Sequence, residues 1–158
     1  MVTLENSSFL VRPVNWKADR NKLHAVRRTV FIEEQNVPEE LEWDEIDERC
    51  YHVLAFADDG APIGTGRLLL DGHIGRMAVL KAWRGRGVGS AILKMLLLLA
   101  QKEGLESVDL HAQTHAVDFY AKHGFMATGG EFMEAGIPHR AMTIKLEPLP
   151  ARLPSHKR

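Results

Sequence analysis

In this chain, Arg84-Gly85-Arg86-Gly87-Val88-Gly89-Ser90 is the segment whose residue types and spacing point most directly to chemistry. Its glycines carry no side chain to hold a phosphate at a distance, and they admit backbone angles closed to other residues. The segment stands between an expected strand and an expected helix, so backbone N–H groups at the helix start converge on one anion. The helix end adds partial positive charge, and Arg84 and Arg86 add two full charges. A pyrophosphate is the ligand this set predicts; the plainer alternative is a flexible turn with capping glycines. The dinucleotide pattern G-x-G-x-x-G fails because Ser90 stands where its last glycine belongs, and G-x-x-x-x-G-K-[ST] occurs nowhere. His111 and His115 straddle a strand end and a helix start, so they lack the one-face geometry of a helical metal pair, and no metal is expected. Seven acids stand against one arginine between Glu39 and Arg49. Such a run could draw a cationic amine or be solvated surface, and it is not expected in the core.

The elements that must position these residues follow from periodicity and turn chemistry. Ser8 to Arg12 reads as a strand stopping at Pro13. From Asp19, a good cap residue, Leu23, Val26, Val30 and Phe31 recur at helical spacing up to about Gln35. Strands over Tyr51–Ala57, Ala61–Leu70 and His73–Leu80 are joined by Asp58-Asp59-Gly60 and Asp71-Gly72, which is the signature of an antiparallel meander. Val88, Ala91, Ile92, Met95, Leu96 and Leu99 mark a helix ending before Gly104. A strand at Ser107–Ala112, a short helix at Ala116–His123 closed by Gly124, and strands at Phe125–Thr128 and Arg140–Glu147 complete the series.

The chain's 158 residues fit one domain, and its net charge of −1 gives no field that would draw it onto nucleic acid or an anionic membrane. Cys50 is the single cysteine, which fits a reducing, cytoplasmic compartment. The N-terminus lacks a signal-peptide pattern, and the greasy run Met95–Ala100 is too short to span a bilayer.

Arg84-Gly85-Arg86-Gly87-Val88-Gly89 resembles the R/Q-x-x-G-x-G/A signature of the GNAT superfamily of N-acetyltransferases. Ile74 to Val79 looks like the strand preceding it there, and His115-Ala116-Val117-Asp118-Phe119-Tyr120-Ala121-Lys122-His123-Gly124-Phe125 is similar to A-x-x-F-Y-x-x-x-G-F. Val30 to Gln35, the acidic stretch and Gly136-Ile137-Pro138-His139 resemble the ElaA-like bacterial branch. The resemblance implies an α+β sandwich: a mixed, mostly antiparallel sheet of six to seven strands, splayed between the fourth and fifth, with about four flanking helices. It makes residues 8–147 a single N-acetyltransferase domain after an N-terminal tail of residues 1–7, and the three prolines of Pro148–Pro154 with the basic end Ser155-His156-Lys157-Arg158 read as a disordered tail over 148–158.

By the same resemblance the cosubstrate is acetyl-coenzyme A, with no metal. Its pantetheine arm pairs with backbone groups of Met77, Ala78 and Val79 in the splay, and its pyrophosphate lies on Arg84, Gly85, Arg86, Gly87, Val88, Gly89 and Ser90. Gln113, with His115, lies beside the gap, toward the arm or merely capping the helix. Tyr120 is the candidate acid for the departing thiolate, or else a core aromatic beside Phe119. An N–H near Val79 suits the oxyanion. For the general base, Glu33 at the end of the first helix is one candidate, and His111 and His73 are others. Glu134 and His139 could line the acceptor pocket. The reaction implied is acetyl transfer to a small-molecule or peptide primary amine through a ternary complex. A non-catalytic acyl-coenzyme A sensor is the alternative, and exposed sheet edges could support a homodimer.

Overall fold

The computed structural model describes residues 2–3 and 8–149. Acidic turn residues close the meander as their chemistry requires. Asp59 Oδ1 accepts from the Ala61 N–H at 2.9 Å, Asp71 Oδ1 accepts from the His73 N–H at 3.1 Å, and Gly60 and Gly72 take φ of +87° and +101°. Strands β1 (Val2–Thr3), β2 (Phe9–Val14), β3 (Tyr51–Ala57), β4 (Pro62–Leu68) and β5 (His73–Val79) are antiparallel neighbours in that order. Beyond β5 the sheet continues through β6 (Ser107–Gln113) and β9 (Ile137–Lys145) to the short β7 (Met126–Ala127), while β8 (Phe132–Glu134) also pairs with β9. Six long strands carry the sheet, and the junction of β5 with β6 is parallel, as the mixed, splayed arrangement requires.

Helices cover both faces. β3 is buried along its middle five residues, with Val53 and Ala55 packed toward α3 (Val88–Lys102) and Leu54 and Phe56 toward α1 (Trp16–Arg27). The other helices, α2 (Glu39–Glu42) and α4 (Val117–Lys122), are short. α3 lies close on β4 because Gly64 and Gly66 face it: a Cβ at Gly66 would stand 2.7 Å from Leu96 Cδ1 and 2.8 Å from Ile92 Cγ2. Gly66→Val is therefore expected to destabilise the protein by about 1–3 kcal/mol through overpacking, read by urea denaturation.

Several boundaries differ from the sequence expectation. α1 starts at Trp16, not at Asp19: Asn15 Oδ1 accepts from the N–H groups of Lys17 (2.9 Å) and Ala18 (3.2 Å), and Asp19 sits at an internal kink. The helix then widens into π geometry over Arg28–Glu34, closed by Gln35 N–H to Val30 O at 3.0 Å. β2 runs through Pro13, which lies past the last residue β1 covers, so its missing N–H costs no ladder bond on that side. β9 begins at Ile137 because it turns back from β8 at Ala135-Gly136. Val2 and Thr3, assigned to a tail, pair with Val11 and Leu10; Met1, residues 4–7 and 150–158 lie outside the described residues.

A bulge opens the sheet where the site lies. Between the pairs Thr65–Ala78 and Arg67–Gly75, β5 holds one residue more than β4, and Arg76 there takes φ +51°. β5 pairs with β6 only at His73–Asp109 and Ile74–Leu110; past the bulge the two strands part and leave a wedge.

Candidate functional site

The start of α3 lies next to Val79, which lines the wedge. Gly85 (φ +75°) and Gly87 (φ +89°) turn the chain, and Gly87 occupies the cap position with no side chain to satisfy the helix. The first helical bond runs from Ala91 N–H to Gly87 O at 3.1 Å, which leaves the N–H groups of Val88, Gly89 and Ser90 without intrahelical acceptors. Those three donors sit at the positive end of a 15-residue helix, an arrangement that attracts a phosphate.

The side chains are deployed differently from the sequence expectation. Arg84 turns from the loop to the first helix: Nη1 and Nη2 donate to Glu34 at 2.6 and 2.7 Å, and Nε donates to Val79 O at 2.8 Å. The bond from Arg84 holds the Glu34 carboxyl below the usual range, and the Arg84 guanidinium is correspondingly raised. Arg86 alone of the pair stays at the loop, its guanidinium 4.5 Å over the Trp83 ring. Ser90 Oγ lies 3.0 Å from His123 Nε2. Gly89 serves packing as well as the loop, since a Cβ there would meet Phe119 Cζ at 3.4 Å.

The wedge itself is a cavity of about 960 Å³. Leu80 N–H donates to Ile63 O, so by alternation Ala78 faces β4 while the N–H groups of Met77 and Val79 face the wedge. Tyr120 enters from α4, buried to 8% exposure between Phe119 and Phe125, with no hydrogen-bond partner for its hydroxyl among the described residues. Burial pushes its phenol up to about 12, so it holds its proton at any physiological pH. On the β6 side, His111 Nδ1 lies 2.8 Å from Glu134 Oε1, and the His111 ring stands edge-on to His73 and Phe132. With Nδ1–H held by the carboxylate, Nε2 is the acceptor nitrogen. His73 pairs with Asp109, His139 Nδ1 lies 2.7 Å from Ile137 O, and Gln113 and Gln35 exchange amide bonds of 3.0 and 3.2 Å across the wedge. Glu33 is exposed and does not line the cavity; its neighbour Glu34 does.

The acidic stretch is corrected most. Glu42 and Asp47 are 3% and 2% exposed, because three arginines from distant elements meet them. Arg27 Nε donates to Glu42 Oε2 at 2.8 Å, and its Nη1 and Nη2 donate to Asp47 at 2.9 and 3.2 Å. Arg67 Nη1 donates to Asp47 Oδ1 at 2.9 Å and to Asp44 at 3.0 and 3.1 Å, while Arg76 Nη2 donates to Glu42 O at 2.9 Å. Burial pulls both buried carboxyls upward. It prevails at Glu42, whereas the bonds and charges of Arg27 and Arg67 overcome it at Asp47 and hold that carboxyl below the usual range. Glu42, Arg67 and Arg76 also line the cavity, a role sequence reasoning missed. A charged residue next to the end of the strand Pro62–Leu68, which is buried from its second residue to its last, was the available signal.

The chain as a whole is similar to known proteins. The model of the acetyltransferase (GNAT) domain matches residues 18–146. The protein YyaT of Bacillus subtilis is 41% identical over 142 residues, covering 86% of this chain and 95% of its own length. An acyl-CoA N-acyltransferase from Pseudomonas aeruginosa superposes with a TM-score of 0.76 at 28% identity, over 87% of this chain and 99% of that one. ElaA of Escherichia coli superposes with a TM-score of 0.72 at 27% identity, over 85% and 99%. Among the described residues there is no cluster able to hold a metal ion, and no helix is long and apolar enough to cross a membrane.

Proposed function

The chain belongs to the GNAT acetyltransferase family, and on that premise we propose that it transfers an acetyl group from acetyl-coenzyme A to a primary amine of a small molecule or peptide, in a ternary complex. One observation carries the reading: the three unbonded N–H groups at the start of α3 stand next to Val79, a Cβ on Gly89 being 3.8 Å from Val79 Cγ2, and Val79 lines the same wedge as Tyr120. The pyrophosphate takes the N–H groups of Val88, Gly89 and Ser90, with Arg86 beside them; Arg84, tied to Glu34 and Val79, shapes the loop. The arm extends the free edge of β5 at Met77 and Val79 as an added strand would, with the Gln113 amide at the far wall. Ala78 lines the floor.

The amine nitrogen attacks the thioester carbonyl carbon and the C–S bond breaks. A backbone N–H near Val79 that the arm leaves free receives the developing oxyanion, His111 Nε2 takes the proton lost by the amine, and Tyr120 donates its proton to the departing sulfur. Of the base candidates His111 is preferred to Glu33, since it lines the cavity and has a carboxylate to orient it. A cytoplasmic location fits the lone Cys50.

Mixing the protein with acetyl-coenzyme A and a panel of amines and following free thiol tests the reading. Thiol release above background is expected with at least one amine; cofactor binding without release from any amine would leave a sensor instead. The pH dependence is fixed in sign. Tyr120 keeps its proton up to about pH 12, whereas an ordinary primary amine, with a pKa of about 10.4, becomes nucleophilic as pH rises. kcat/KM should therefore climb with pH and show no falling limb below about pH 10 while the protein stays folded. A falling limb near neutrality would assign the acid to another group.

A further inference from the structure

Two of the arginines that order the acidic stretch leave a donor unused, and both residues line the cavity. Arg67 is 95% buried by its 5% exposure, yet every hydrogen bond it makes runs from Nη1; its Nε is buried without a partner. Arg76 Nε is likewise unpartnered: it lies 3.1 Å from Glu42 Oε2, out of line for a hydrogen bond. Buried N–H groups are nearly always satisfied, and an orphaned one on an ion is costly, so two of them on residues that line one cavity call for an oxygen ligand. The surroundings permit a negative guest. Arg27, Arg67 and Arg76 stand against Glu42, Asp44 and Asp47, and burial pushes the Glu42 carboxyl upward, toward its neutral form.

Resting on the acetyltransferase reading, we propose that the acceptor is an amine that also bears a carboxylate, received by the Nε–Nη2 edge of Arg67 with Arg76 Nε beside it. The planar edge of a guanidinium matches a carboxylate through two parallel bonds, which a point charge does not. The position is right for recognition away from the chemistry. Arg67 pairs in register with Gly75, before the bulge, whereas Met77 and Val79 lie after it on the same strand. The carboxylate end is thus held at the narrow end of the wedge and the amine points toward Tyr120.

The test uses the unmodified protein and matched pairs that differ only in the carboxylate: β-alanine with ethylamine, 4-aminobutyrate with propylamine, and phenylalanine with phenethylamine, plus phosphoethanolamine. Thiol release is followed for each. The carboxylate-bearing member of at least one pair is expected to be preferred by about tenfold or more in kcat/KM, mainly through KM. Arg67→Lys, which keeps the charge and loses the planar edge, should bring that ratio to about threefold or less with KM moving and the folded-state circular dichroism retained. Preference for the amines without carboxylate, or for phosphoethanolamine over all carboxylates, overturns this inference and leaves the acetyltransferase reading intact. No release from any amine overturns both.

Discussion

Tyr120→Phe is expected to lower kcat by about 100- to 10,000-fold, the range lost when a positioned proton donor is removed. The substitution isolates the proton. Phenylalanine keeps the ring that packs between Phe119 and Phe125, and the lost hydroxyl has no hydrogen-bond partner among the described residues, so stability should change by less than about 1 kcal/mol. A hydroxyl directed into a cavity and kept protonated by burial is suited to wait for a base stronger than water, and the departing thiolate is such a base. Binding of coenzyme A should be nearly unaffected. Steady-state kinetics with titration of coenzyme A separates the two effects; an unchanged kcat would make Tyr120 a packing residue and move the acid elsewhere.

Asp47→Ala carries the largest expected cost to stability, about 3–5 kcal/mol by urea denaturation, because it strips a buried carboxylate from two buried arginines at once. Arg27 would lose two of its bonds and Arg67 one. The sign of the acid dependence follows. The Asp47 carboxyl sits below its ordinary value in the folded protein, so its contribution is complete above the unfolded carboxylate range and disappears as pH falls through the lowered value. Glu42 opposes it: its raised carboxyl makes the folded protein relatively more stable at acid pH and less so once the group ionises. Asp47→Ala should therefore reduce the acid-side loss of stability expected of the unmodified protein.

The glycine loop, the meander and the long helix were legible because each depends on neighbours in sequence: turn acids cap the next N–H, and an apolar face repeats within one helix. The acidic stretch was not, because its charge balance is made in space. Counting from Glu39 to Arg49 finds one arginine, whereas the partners of Glu42 and Asp47 come from α1, β4 and β5. The loop arginines were read as equals, yet Glu34 on the first helix captures Arg84 and leaves Arg86. The base is a similar case. Glu33 and Glu34 differ by one step of a helix whose π turn shifts its faces, and the carboxylate that orients His111 sits on a hairpin 23 residues away. Spacing along the chain therefore singled out the loop and the family resemblance singled out Tyr120, while the partners of each charge needed the fold.

Titrating isotopically labelled protein with coenzyme A and following backbone amides by nuclear magnetic resonance tests the central claim most directly. The account predicts that the N–H signals of Val88, Gly89 and Ser90 move together with those of Met77 and Val79, along one saturating curve. Saturation with those five amides unmoved, and shifts gathered elsewhere on the surface, would contradict it.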